Sequence, residues 1–213
     1  MHQVSEELLE KWLKGWSISR EKPLPEAWKS GFKVEVSDEL QKARYVFPTV
    51  NEDFIQLSES IHESWVYLKV CEPFEKFRTL IPERWEIQPQ GYMMYGQEKM
   101  TIREDPLPDG YLIEVFQPRP DAFTVTIYTA NNEEAAVGRL ILVGGLAVYD
   151  RIVTHQDHRR KGLATHIIKE LESIALSKGI SENFLVATEL GKLLYESLGW
   201  KIYCLYSSLV IPE

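Results

Sequence analysis

The 213-residue chain has little cysteine: Cys71 and Cys204 are the only two, far apart in sequence and without metal-ligand spacing. That usage excludes a disulfide scaffold and a zinc ribbon, and the plain reading is a cytoplasmic, disulfide-free protein. The five histidines form no zinc pattern, since His155 and His158 lie three apart with no Cys or Glu partner, so no metal is expected. No stretch approaches the ~20 apolar residues that span a bilayer. The N-terminal MHQVSEELLEKW lacks the basic-then-apolar order of a signal peptide, and no membrane partner is expected. Positive charge is in deficit, at 24 Lys and Arg against 32 Asp and Glu, and the net charge of −8 argues against nucleic acid as a partner. The common glycine-rich nucleotide loops are missing too: there is no Gly-x-x-x-x-Gly-Lys-Ser/Thr and no Gly-x-Gly-x-x-Gly after a strand.

What the chain does have is HRRKGLAT, His158 to Thr165, between a strand-like run (Leu146 to Thr154) and a helix-like one (Leu163 to Ser177). The first amides of a helix lack intrahelical acceptors, and the helix dipole favours negative charge at that end. Arg159, Arg160 and Lys161 add fixed positive charge, and Gly162 allows close approach to the backbone. The combination makes a cradle for pyrophosphate.

Upstream, Phe123 to Tyr128 alternates as a half-buried strand, the polar TANNEE follows, and Ala135 to Val143 leads through Gly144-Gly145 into Leu146 to Thr154. Three strands on short turns predict an antiparallel meander. Downstream, Leu163, Ile167, Leu171, Ile174 and Ala175 recur on one helical face, with a stop at Lys178-Gly179. A buried strand at Phe184 to Ala187 precedes a helix N-capped by Thr188 that carries Leu190, Leu193, Leu194 and Leu198 inward. Gly199 ends it, and a last strand runs from Trp200 to Ser207.

Arg159, Gly162 and Ala164 spell Arg-x-x-Gly-x-Ala, which resembles the coenzyme A pyrophosphate loop of the GNAT superfamily of N-acetyltransferases. KLLYESLGW, Lys192 to Trp200, is similar to the superfamily's Leu-Tyr-x-x-Leu-Gly-Phe/Trp signature, and the order of elements agrees over residues 115 to 213. The resemblance implies an α/β (α+β) fold with a mixed, mostly antiparallel central sheet flanked by helices. It implies acetyl-CoA as cosubstrate, with the pantetheine arm along Ile152, Val153 and Thr154 and the Val153 N–H as donor to the thioester oxygen. The pyrophosphate would lie on the amides of Arg160, Lys161, Gly162, Leu163, Ala164 and Thr165, with Arg159 and Arg160 as charge partners. Tyr195 matches the tyrosine that protonates the departing sulfur. Where many members carry Asn and Ala upstream of that Tyr, this chain has Thr188 and Gly191, so Thr188 is the cofactor-side candidate through its hydroxyl. For the base that deprotonates the amine, Asp150 is the leading candidate, with Tyr149, Glu114 and His155 beside it; Asp150 equally suits an ion pair with Arg151.

The expected activity is acetyl transfer to a primary amine of a small molecule. Two alternatives stand beside it: acetylation of a protein N-terminus or lysine, and an acetyl-CoA-binding sensor without turnover. A homodimer is the assembly left open. The domain reading is an N-terminal α/β region over 1–110 and an acetyl-CoA-binding core over 111–213. The first region is either a degenerate second copy of the fold or an extension that shapes the acceptor pocket. Its expected elements are an amphipathic helix carrying Leu8, Leu9, Trp12, Leu13 and Trp16, and an extended connector from Ser19 to Trp28. Strands are expected at Arg44–Phe47, Val66–Val70 and Tyr92–Tyr95, and helices at Glu52–His62 and Phe74–Leu80. Residues 105–110, DPLPDG, read as a linker.

Overall fold

The computed structural model describes residues 4–100 and 105–213. Among these it holds four α-helices and twelve strands, α1 (Glu6–Ser19), β1 (Glu26–Trp28), β2 (Gly31–Asp38), β3 (Gln41–Phe47), α2 (Glu52–Ser60), β4 (Val66–Val70), β5 (Glu86–Ile87) and β6 (Gly91–Gly96), followed by β7 (Tyr111–Arg119), β8 (Ala122–Thr129), β9 (Glu134–Val143), β10 (Leu146–Thr154), α3 (Leu163–Ser177), β11 (Glu182–Ala187), α4 (Glu189–Ser197) and β12 (Lys201–Val210). They form two compact units, one of residues 1–94, 186–193 and 202–213, the other of 95–185 and 194–201. No helix among the described residues is long and apolar enough to cross a membrane.

In the first unit the strands run β1-β2-β3-β4-β12, antiparallel except for β3 beside β4, with β5 on the far end of β12. Parallel neighbours need a crossover, and α2 supplies it. Strand alternation then sorts the side chains. Phe47, Leu68, Val70 and Leu209 share one face with Phe54 and Leu57 of α2 and with Phe77. Aromatic edges lock that core, with Phe47–Phe54 at 5.5 Å and Phe54–Phe77 at 5.2 Å. The opposite face is polar, carrying Arg44, Tyr67 and Lys69, and two tryptophans of α1 lie against it. Trp12 meets Tyr206 edge-on at 5.5 Å, and the Arg44 guanidinium sits 3.3 Å above the Trp16 ring. Ser5 caps α1 by accepting from the Leu8 N–H.

Several expectations shift here. The Phe74–Leu80 helix is a single 3-10 turn, Phe74–Lys76; Phe77 leaves helical geometry, and Ile81 before Pro82 is biased away from it. α2 stops at Ser60 because Ile61 is extended. The connector from Ser19 to Trp28 ends in a short strand, and β2 comes as an addition. Cys71 and Cys204, distant in sequence, form no disulfide with each other; the buried Cys71 thiol lies 3.6 Å from the Met93 sulfur, and burial pushes the thiol up.

In the second unit the order is β11-β10-β9-β8-β7. β8, β9 and β10 are the expected meander, and β7 extends it antiparallel to β8. β11 returns parallel to β10 after the α3 crossover. α3 buries Leu163, Ile167, Ile168, Leu171 and Ala175. It approaches β9 at Gly138, where an added Cβ would come within 2.4 Å of Ile167. Gly179, at φ +73, closes the helix, and the Ile180 N–H returns to the Ala175 carbonyl at 3.0 Å.

Candidate active site

β10 pairs with β9 along its length but with β11 only from Leu146 to Val148. From Tyr149 onward no second partner strand is registered among the described residues. A bulge lies in this half: Asp150 to Val153 on β10 spans Arg139 to Val137 on β9, one residue extra, and Arg151 takes φ +54. The result is a strand edge with backbone groups free to pair with something else. His155 N–H donates to the Ala135 carbonyl at 2.9 Å, and the antiparallel ladder alternates from there. That alternation turns the Val153 N–H toward Val137 of β9. The amide facing the open side is therefore that of Thr154, a correction to the expected donor. The Thr154 carbonyl, on the same side, accepts from Arg159 Nε at 3.2 Å, and its Oγ1 is buried without a partner among the described residues. Ile152 is half-buried, and the Val153 side chain is exposed.

The chain then makes a 3-10 turn, Gln156–His158, and reaches α3 through four residues, Arg159 to Gly162. Arg160 and Gly162 both take left-handed backbone, φ +62 and +77. Among the described residues no acceptor faces the N–H groups of Arg160, Lys161, Gly162, Leu163 and Ala164. The Thr165 and His166 amides already donate to the Gly162 carbonyl, at 3.0 and 3.3 Å, so the row of free amides stops one residue short of the expected Thr165. Among the described residues nothing lies within 4 Å of a Cβ placed on Gly162, and no side chain caps the helix. Five free amides at the positive end of a 15-residue helix, with Arg159 and Arg160 exposed beside them, fit a diphosphate. Lys161 is tied elsewhere: its Nζ donates to Tyr111 Oη at 2.9 Å, and that hydroxyl also shares a hydrogen bond with His158 Nδ1 at 2.8 Å. His166, in the first turn of α3, is pushed below the usual imidazole range by burial and by Lys169.

Tyr195 lies in the last turns of α4, 7% exposed, its ring 5.5 Å from that of Trp200. Burial, and then the nearby Asp150 carboxylate, push its phenol above the ordinary range. Both causes disfavour the phenolate, so the hydroxyl keeps its proton at neutral pH. Asp150 is half-buried on the bulged edge and sits across the ladder from Arg139. Asp150 thus lies near enough to Tyr195 to act on it electrostatically. Tyr149 is no base: burial and Glu172 raise its phenol, which donates to Asn183 Oδ1 at 3.0 Å. His155 is exposed, 3.4 Å from Glu134, and Glu114 lies exposed on β7 opposite Thr126.

Thr188 belongs to the first unit. It caps α4, its Oγ1 accepting from the Gly191 N–H at 3.2 Å, and it lines a cavity there. The expected inward face of α4 is corrected: Leu190 and Leu193 are 82% and 60% exposed, and the buried side chains of this stretch are Tyr195 and Leu198. Sequence reasoning missed Tyr111 as the anchor of Lys161, because β7 shows no clean alternation. It also missed the cavity in the first unit, where a lysine in the middle of β4 was the available signal.

Residues 122–202 match the family model for the acetyltransferase (GNAT) domain. A GCN5-related N-acetyltransferase from Kribbella flavida superposes with a TM-score of 0.69 at 15% identity, over 100% of this chain and 97% of that one. A GCN5-related N-acetyltransferase from Sphaerobacter thermophilus gives 0.62 at 11% identity, over 86% of this chain and 78% of that one. A tandem GNAT protein from the clavulanic acid biosynthesis pathway gives 0.60 at 12%, over 84% and 78%. At these identities the likeness is one of fold. Comparison with curated proteins returns no match.

Proposed function

We propose that the protein transfers acetyl from acetyl-CoA to the amine of a small molecule, a reading supported by the match of residues 122–202 to the GNAT acetyltransferase domain model. One observation carries this reading: the row of free amides at residues 160–164, set at the end of a strand whose second edge is open. Bound acetyl-CoA would supply an acyl group activated as a thioester, whose departure as thiolate calls for a proton. Arg159, Arg160 and the loop amides would hold the diphosphate, and Gly162 leaves room for it. The Thr154 amide would fix the arm on the open edge of β10. Tyr195 would hold a proton at Oη for the sulfur. A phenol at its reference value of ~10 gives a proton to a thiolate of ~8.5 uphill by about 2 kcal/mol, and the raised Tyr195 only adds to that. A hydrogen bond that strengthens as charge develops is therefore its role, ahead of complete transfer. Burial, and after it Asp150, favour the protonated Tyr195, and Asp150 is our candidate base for the amine.

A cavity of about 690 Å³ in the first unit, the size of a metabolite pocket, supports a small-molecule acceptor over a protein segment. A homodimer through β7 completes the proposal: the strand ends its sheet and exposes Leu112, Val115 and Phe116. The sparse use of cysteine, two in 213 residues, supports a cytoplasmic setting. The test is calorimetry with acetyl-CoA followed by thiol release across an amine library. Binding plus thiol release dependent on one class of amine is expected; absence of acetyl-CoA binding overturns the reading.

A further inference from the structure

The cavity of the first unit has an unusual floor. It is built from one face of the sheet, with Tyr67 and Lys69 from β4 and Tyr206 and Ser208 from β12, and Gln88 stands in its wall. Lys69 and Ser208 are partners in the ladder, and the ammonium donates to Ser208 Oγ at 2.5 Å. Its other neighbours are ring faces, with Nζ 4.8 Å from the centre of Tyr67 and 5.7 Å from that of Tyr206. Lys69 is only 9% exposed, yet among the described residues no carboxylate pairs with it. The charged groups acting on it are Arg44 and Arg20, both cations, and with burial they push its amine well below the ordinary lysine range. Arg44 is itself buried, stacked with Arg20 about the ring of Trp16. Glu189, the carboxylate at the cavity mouth, is engaged by Lys192 at 2.8 Å and by the Tyr92 hydroxyl.

A buried lysine amine that among the described residues meets a hydroxyl and no carboxylate is a group that an anion relieves. Rings on the floor and an amide in the wall suit an organic group on that anion. We propose that this cavity binds a small organic carboxylate, with Lys69 as its ion partner and the faces of Tyr67 and Tyr206 against its carbon skeleton. The binding stands apart from the transfer reaction. Only the identification of the carboxylate with the acetyl acceptor rests on the function proposed above, and the test has a separate arm for each.

In the first arm, calorimetry on the full chain without acetyl-CoA compares L-leucine, L-methionine and L-phenylalanine with their carboxamides, and 4-methylpentanoate and 3-phenylpropanoate with theirs. At least one acid should bind roughly tenfold or more tightly than its amide, as charge-assisted hydrogen bonds do. The preference should disappear in Lys69→Met. Removing a buried, uncompensated cation leaves the fold as stable or more so, and an unchanged or higher melting temperature of Lys69→Met shows that the loss is local. An amide bound as well as its acid throughout the panel, or a preference surviving in Lys69→Met, overturns the proposal. In the second arm the same amino acids are offered with acetyl-CoA. Thiol release from the acids, and not from the amides, makes the bound carboxylate the acceptor's. Binding without release makes it a separate ligand and counts against an amino-acid acceptor, leaving the cavity assignment standing.

Discussion

In the proposed donor site Gly162 would act through its backbone and Tyr195 through its side chain. Gly162 takes φ +77 with open space beyond it, so a side chain there meets no clash, only the left-handed strain of about 1–2 kcal/mol. Gly162→Glu should thus fold while its carboxylate fills the approach to the free amides. Calorimetry is expected to find acetyl-CoA binding abolished, with the melting temperature lowered by only a few degrees; retained affinity would move the diphosphate elsewhere. Tyr195→Phe separates the two roles of a buried tyrosine. If its hydroxyl serves the sulfur, kcat should fall by on the order of 10²-fold with acetyl-CoA affinity nearly unchanged. A matching loss of affinity would mark the ring as structural. The placement of both was legible in the sequence, a left-handed glycine before α3 and a buried tyrosine on α4, since glycine before a helix and tyrosine in a distinctive nine-residue run are local signals. The choice between the Val153 and Thr154 amides was not. It depends on the phase of the ladder past the bulge, and that phase is fixed by pairing with Ala135 and Val137, more than fifteen residues away.

At the level of elements, periodicity served where a face is buried against a partner and misled where it is not. The apolar spacing of α3 reports a real interface, down to the gap that Gly138 leaves for Ile167. In α4 the same spacing suggested four inward leucines, whereas Leu190 and Leu193 face outward. β7 is the opposite case: nine residues with a weak pattern that still form a strand, because register with β8 holds them from Tyr111 to Arg119. Its exposed Leu112, Val115 and Phe116 motivate the dimer, and Phe116→Glu tests it. Light scattering should show the wild type as a dimer and the variant shifted to monomer, with no loss in melting temperature. A wild type that stays monomeric at high concentration removes β7 from the account.

For the whole molecule, ligand binding and stability are linked. Acetyl-CoA at a hundred times its dissociation constant should stabilise the wild type by about 2.7 kcal/mol. A thermal scan should show that rise for the wild type and none for Gly162→Glu; equal rises in both would place the binding away from the loop. The fold class and the order of elements from β8 onward could be read from the sequence. In the first 100 residues α1, α2, β3, β4 and β6 could be read as elements, but the pairing of β4 and β5 with β12, a partner more than a hundred residues distant, could not.

That pairing has a consequence for how the polypeptide can be divided. The backbone passes between the two units at 94/95, 185/186, 193/194 and 201/202, and β12, near the C-terminus, is laddered to β4. A protease nick in DPLPDG, residues 105–110, leaves Ser207 to Val210 still bonded to Tyr67 to Val70. The two pieces should therefore co-elute after cleavage and part only in denaturant. Produced from separate genes, they should find each other and restore acetyl-CoA binding, as a split reporter does. Neither should fold by itself.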